Sequence, residues 1–336
     1  MKRHAFSSIF FLVLAGILLS TTGVAAKASS PVVVGSDGWL FLKKELRFLN
    51  VGPFWGEQAK TASQAKRVDA RDPTPAIVAF NQALAEKGVT LLLVPVPPKA
   101  LIYSEYVPDA DKGKAWGTNL DQYYTILRDK GVRVLDLRQT FYAVKKKQDK
   151  LLYCREDTHW SGYGVTVAAD QIAKEIESLT PKGKSKYTEK WRNIQISGDL
   201  RQMLGDADQK EAEKKETENK ETIAIREIVD ASGRMPEPDP SSPVLVLGDS
   251  HVLVFHDGGD MFARGAGLSD QLAFSLAGPV DVIGVRGSGA TPARLSLYRK
   301  VQRTGDYWSG KKVVIWCFAA REFTESDGWR VLPIEP

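Results

Sequence analysis

Ser250, in the run PVLVLGDSH, and Asp157-Thr158-His159, in LLYCREDTHW, are the residues whose types could do covalent chemistry together. A serine hydroxyl becomes a nucleophile when an imidazole takes its proton, and that imidazole needs a carboxylate to fix its tautomer. Asp157 and His159 supply both groups two positions apart. Of the other histidines, His4 lies near the N-terminus and His251 and His256 follow the serine. His251 is the poorer base, because adjacent residues on a turn or helix start diverge; it reads as packing or as a substrate contact. Each piece alone also has an ordinary reading. Asp249 and Ser250 suit a helix cap, and Asp157-Thr158-His159 suits a turn around a satisfied histidine. Their occurrence together favours catalysis.

These residues can meet only if strands deliver them to one place. The apolar residues between Pro243 and Gly248 read as a buried strand, and its terminal turn carries Ser250 to the carboxyl edge of a sheet, where open α/β sheets bind ligands. LLYC before the Asp-His segment, and the helical pattern SGYGVTVAADQIAKEIESL after it, place that segment at a strand-to-helix junction as well. TPAIVAFNQALAEKG then VTLLLVPVPPK, NLDQYYTILRDKG then VRVLDL, and SLAGPVDVIGVRG, ATPARLSLYRKVQ and KKVVIWCFAARE continue the alternation. This predicts a three-layer α/β/α sandwich around a mostly parallel sheet. Lys99 and Tyr103 follow the strand LLLVPVP and are expected near the catalytic edge. Arg286-Gly287-Ser288-Gly289 reads either as a loop that joins the Ser250 amide in donating to an oxyanion, or as an ordinary turn before Pro292. Trp116 and Trp160 could stack on a substrate's ring, although packing is the commoner role.

The 336 residues carry 46 basic and 41 acidic side chains, too balanced for a nucleic-acid partner. Residues 1–26, MKRHAFSSIFFLVLAGILLSTTGVAA, have the basic start, short apolar run and small-residue end of a secretory signal, cleaved after Ala26 or retained as an anchor. Residues 27–336 then form one domain outside the cytoplasm. Cys154 and Cys317 either pair or stay as buried thiols, and their spacing suggests no metal site. DADQKEAEKKETENKE, between Gly205 and Glu221, reads as a solvated loop, with MPEPDPSSP extending the chain up to the Ser250 strand.

GDSH at 248–251 resembles the first block of the SGNH/GDSL hydrolases, and DTHW at 157–160 resembles the Asp-His block of the alginate O-acetyltransferase family of AlgJ and AlgX. GSDGWLFL, VPVPPKALIY, SGDLRQMLG and RGSGAT are similar to that family too. Ordinary SGNH enzymes put the serine block first, so the order here implies a circularly permuted SGNH hydrolase-like sheet. The resemblance implies acetyl transfer to hydroxyls of an exported polysaccharide, alginate or another, by a triad of Ser250, His159 and Asp157. It implies a periplasmic site, no cofactor, a membrane-bound O-acyltransferase-type protein that delivers acetyl, and nearby export machinery. SGNH hydrolases add an asparagine donor from a further strand end; here that strand ends in Arg321 and Glu322, leaving Arg321 to bind substrate or to form a surface ion pair. Alginate-specific members often carry a carbohydrate-binding module, for which there is no room before Pro336, so alginate itself stays open. The competing readings are a periplasmic carbohydrate acetylesterase with the same triad and a non-catalytic polysaccharide-assembly protein. An intact Ser250, His159 and Asp157 count against the last.

Overall fold

β3 (Thr90–Val96), β7 (Val244–Gly248) and β9 (Val313–Ala319) are buried along almost their whole length, which requires cover on both faces. Apolar runs of that kind belong in parallel sheets flanked by helices. In the computed structural model, which describes residues 30–113, 116–180, 186–204 and 220–335, they form the centre of a five-stranded sheet. Its order is β4-β3-β9-β7-β8, with β4 at Arg133–Val134 and β8 at Asp281–Gly284, and all its pairings are parallel. The helices Pro73–Glu86, Thr118–Asp129, Gly162–Glu175, Leu268–Ser275 and Thr291–Thr304 alternate with the strands. The expected α/β sandwich around a parallel sheet is therefore the fold of the described chain.

β9 follows the other strands in the sequence yet lies in the middle, pairing β3 from Thr90↔Val313 to Val96↔Ala319 and β7 from Val244↔Val313 to Gly248↔Cys317. All three strands run the same way, so their carboxyl ends share an edge, and Gly248 ends β7 one residue before Asp249. Of VRVLDL only two residues join the sheet.

Two antiparallel hairpins were not legible from periodicity. β1 (Val32–Val34) pairs β2 (Leu40–Leu42), and β5 (Tyr187–Ile196) pairs β6 (Glu221–Asp230) over ten residues each. Exposed Thr188 to Asn193 gave β5 no polar-apolar alternation to recognise. Its partner is anchored by Arg226, buried on β6, which donates to Gln271 Oε1 at 2.6 Å and Glu189 Oε2 at 3.0 Å.

Cys154 and Cys317 are free and buried, and burial pushes both thiols well above their ordinary range. The expected signal segment and residues 206–219 of the charge run lie outside the described residues, whereas the last residue of that run, Glu221, is not loop but the first of β6. Among those described, no helix is long and apolar enough to cross a membrane.

Candidate active site

The turn after β7 serves as cap and as site at once. Asp249 keeps extended backbone and its Oδ1 accepts the His251 amide at 2.9 Å, capping the short helix Ser250–Leu253. Ser250 is the first residue of that helix, so its hydroxyl stands at the sheet edge. From the other side, Ser161 caps the helix Gly162–Glu175, and the chain entering it carries His159. His159 Nε2 lies 2.7 Å from Ser250 Oγ, and His159 Nδ1 lies 2.6 Å from Asp157 Oδ1. An ionised carboxylate can only accept, so the imidazole proton sits on Nδ1 and leaves the Nε2 lone pair for the serine hydroxyl.

Asp157 is fully buried and held by donors. Its Oδ1 also accepts the His159 amide at 2.9 Å, and its Oδ2 accepts the Asp199 amide at 2.8 Å. Burial alone would raise its pKa, but the charge of His159 and these bonds outweigh burial and hold it at about 2. Burial would conversely lower the His159 pKa, and the charge and hydrogen bond of Asp157 raise it instead. The result is a polarised line from Asp157 through His159 to Ser250.

Asp199 was missed as a site residue, because SGDLRQMLG carries no catalytic pattern and its use depends on a contact distant in sequence. Beyond its amide bond to Asp157, its carboxylate accepts Thr158 N at 2.7 Å and Thr158 Oγ1 at 2.6 Å. Burial, then the like charge of Asp157, raises its pKa. The approach depends on Gly198, since a Cβ there would stand 2.0 Å from the Glu156 carbonyl oxygen. The Arg201 guanidinium pairs with the Glu156 carboxylate, so residues 198–201 strap the Asp-His segment down. Asp157, His159 and Asp199 offer ligand atoms within 4.8 Å of one another. Those same atoms accept or make the bonds just described, so a cation there would have to break the line to the serine.

His251 repeats the Asp-x-His spacing: its Nδ1 lies 3.0 Å from Asp249 Oδ1, and its ring is 4.9 Å from that of His159 and edge-on to buried Trp160 at 5.4 Å. Burial lowers its pKa despite Asp249, keeping it neutral. Of its two expected roles the packing one matches this position. Trp160 is likewise a packing residue, and Trp116 donates its indole N–H to Asn50 Oδ1 at 2.9 Å.

Lys99 and Tyr103 do lie beside the catalytic segment, but both side chains are buried behind it and taken up by protein partners. After β3 two prolines turn the chain, and Lys99 begins the buried helix Lys99–Ile102. Its ammonium donates to the carbonyls of Arg155 at 2.7 Å and Asp157 at 2.9 Å, above the Trp39 and Phe41 rings. The Tyr103 hydroxyl accepts the Leu152 amide at 2.8 Å, and its ring stacks on Trp39 at 4.3 Å; burial pushes its pKa up to about 12. Both brace LLYCREDTHW from behind. Arg321 is not a surface ion pair: its side chain is 15% exposed and lies 4.0 Å from the buried Glu45 carboxylate.

Gly287 and Gly289 differ from each other. Gly287 has φ +90 and open space around it, as a turn requires. Gly289 presses on the nucleophile turn, where a Cβ would stand 2.5 Å from Phe318 Cβ and 3.0 Å from Asp249 N. Its carbonyl accepts the Trp316 indole N–H at 2.7 Å. A backbone this close to Ser250 can present amide donors to it.

Comparison with known proteins follows the same outline. The family described as "SGNH hydrolase-like domain, acetyltransferase AlgX" matches residues 32–320. A protein of Pseudomonas syringae pv. tomato named probable alginate O-acetylase AlgJ is 29% identical over 150 residues, 45% of this chain and 34% of that protein. The chain thus spans about a third of the length of that curated relative. The solved O-acetyltransferase domain of Pseudomonas putida AlgJ superposes with a TM-score of 0.64 at 21% identity, covering 87% of this chain and 92% of that one. Pseudomonas aeruginosa AlgX superposes with a TM-score of 0.55 at 17% identity, over 87% of this chain and 66% of the other. At these identities the superpositions establish the fold.

Proposed function

Since the chain belongs to the AlgX family of SGNH hydrolase-like acetyltransferase domains, we propose that it moves acetyl groups onto hydroxyls of an exported polysaccharide through an acetyl-serine at Ser250. The observation that carries this reading is the hydrogen-bonded line Asp157, His159, Ser250.

In the first half-reaction Ser250 Oγ attacks the acetyl carbonyl carbon while His159 Nε2 takes the hydroxyl proton. Asp157 stabilises the imidazolium. The negative carbonyl oxygen is met by the amide of Ser250 and by the loop Gly287–Gly289, each donor contributing about 3 kcal/mol. Collapse expels the donor's oxygen, which leaves with the proton from His159. In the second half a sugar hydroxyl attacks the acetyl-serine, gives its proton to His159, and the serine leaves with that proton. No metal or organic cofactor takes part in these steps.

The polysaccharide, a membrane-bound acetyl-donor protein and export machinery are the partners this reading calls for, with the N-terminal 26 residues as a signal that directs the remaining domain to the periplasm. Arg321, part-buried just past β9, is the cation this reading assigns to an anionic acceptor.

The test incubates the protein and Ser250→Ala with an activated acetyl ester and neutral or anionic oligosaccharides, then weighs protein and sugars by mass spectrometry. Acetyl on Ser250 that moves to sugar is expected in the native protein and absent in the variant. Rapid release of free acetate that no sugar captures would replace transfer with esterase activity, and a variant as active as the native protein would remove Ser250 from the mechanism.

A further inference from the structure

Glu322 is a buried acid that the acetyl-transfer steps leave unused. It is 4% exposed and lies just beyond β9, in the first turn of the helix Glu322–Glu325. Burial, then the neighbouring charge of Asp249, pushes its carboxyl up to about 7. A fold that accepts two acids so close together bears a cost that an apolar residue would avoid. What the carboxyl holds is the glycine loop. Ser288 Oγ, 8% exposed as a residue, donates to Glu322 Oε2 at 2.6 Å. The Glu322 backbone is fixed in turn, its carbonyl accepting the Trp329 indole N–H at 3.1 Å.

The end of β9 grips the nucleophile turn as well, through the Ala319 amide donating to Asp249 Oδ2 at 2.7 Å. One strand end therefore holds both pieces of backbone that flank the serine: the Ser250 turn through Asp249, and the Gly287–Gly289 loop through Glu322. We propose that Glu322 is a positioning residue that, acting through Ser288, sets the Gly287–Gly289 amides at the distance from Ser250 that an oxyanion requires. This rests on the acetyl-serine reading above, and it adds a residue that touches neither substrate nor triad.

The test compares Glu322→Ala, Ser288→Ala, the double variant and Glu322→Gln, using 4-nitrophenyl acetate for steady-state rates and amide hydrogen exchange over residues 286–290. A misplaced donor costs kcat, so Glu322→Ala and Ser288→Ala should each lower it by about tenfold to a hundredfold with KM unchanged. The double variant should be no worse than the worse single one, because both break one connection. Glu322→Gln should recover most of the kcat lost in Glu322→Ala, its amide oxygen still accepting from Ser288. Exchange at 286–290 should quicken in the alanine variants and not in Glu322→Gln. Should Glu322→Ala fail to fold, Ser288→Ala and Glu322→Gln carry the comparison. Native kcat in Ser288→Ala, additive losses, a loss confined to KM, or glutamine as damaging as alanine in a folded protein would overturn the proposal. The exchange readout does not depend on activity: a native protein that forms no acetyl-serine would fail the function reading, whereas unchanged exchange in the alanine variants would fail this one.

Discussion

Replacing Asp157 with asparagine tests the site most sharply, because the shape is kept while the donor and acceptor count changes. The carboxylate now receives three donors: the His159 amide and Nδ1–H on Oδ1, and the Asp199 amide on Oδ2. Asparagine offers one oxygen and one NH2 group. With its oxygen toward His159, the NH2 opposes the Asp199 amide, and two donors are left unpaired in a buried place. With its oxygen toward Asp199, the NH2 can donate to Nδ1 once the imidazole proton moves to Nε2, and only the His159 amide loses its partner. The second arrangement satisfies more groups, and it is fatal to catalysis, since Nε2 then faces Ser250 with a proton already on it. The expected loss in kcat is about ten-thousandfold, or about 5.5 kcal/mol. The unpaired amide should cost about 1–3 kcal/mol of stability. Acetyl ester turnover measures the first, urea unfolding the second, and the nitrogen chemical shifts of His159 report which ring nitrogen holds the proton. A folded Asp157→Asn protein that retains a tenth of native kcat with the proton still on Nδ1 would refute this reasoning.

His159 must be neutral to accept a proton, and Asp157 raises its pKa, so the acidic limb of the kcat/KM profile should fall above the unperturbed value of about 6.5. The raised His159 contributes stability that is complete below about pH 6.5 and is lost as pH rises through its folded pKa; Asp157, lowered to about 2, contributes stability present above about pH 4 and lost as pH falls toward 2. Thermal unfolding across pH should follow both trends, and a flat profile would contradict the pairing. Lys99→Met should strand the Arg155 and Asp157 carbonyls and lower stability by about 2–4 kcal/mol in urea unfolding while leaving KM unchanged; a selective rise in KM would return Lys99 to the substrate. Gly198→Ala should lower both stability, by about 1–3 kcal/mol, and kcat, because the new methyl must push the strap away from the Glu156 carbonyl.

Strand order aside, the sequence discloses most of the sheet, since β3 and β7 are apolar runs bounded by Gly or Pro and β9 is one set between charged residues, and it discloses Ser250 and His159 because nucleophile and base are recognisable types at strand ends. Directions of side chains were harder. Lys99 and Tyr103 do follow a strand that ends at the catalytic edge, but two prolines turn them inward, and a turn's exit angle is not written in residue type. Asp199 acts through its backbone amide on a residue 42 positions away, a relation no local pattern records. The β5–β6 hairpin escaped because its exposed strand reads as a charged loop.

The central place of β9 has a consequence for how a growing chain comes to life. In the sheet, β3 and β4 lie to one side of it and β7 and β8 to the other, and the two pairs do not touch each other as strands. The Asp157 segment is fastened to the first side by Lys99, just after β3, while Ser250 rides on β7 in the second. A chain synthesised as far as Thr304 contains nucleophile, base and acid, and their carriers can already touch through the helices Gly162–Glu175 and Leu268–Ser275, but it lacks the strand that joins β3 to β7. Val313–Ala319 then fills the gap between them, pairing seven residues with β3 and five with β7. Such long-range insertion is slow compared with local folding. The sheet whose edge carries the nucleophile turn and the brace behind the base is thus completed by the last of its strands to be made.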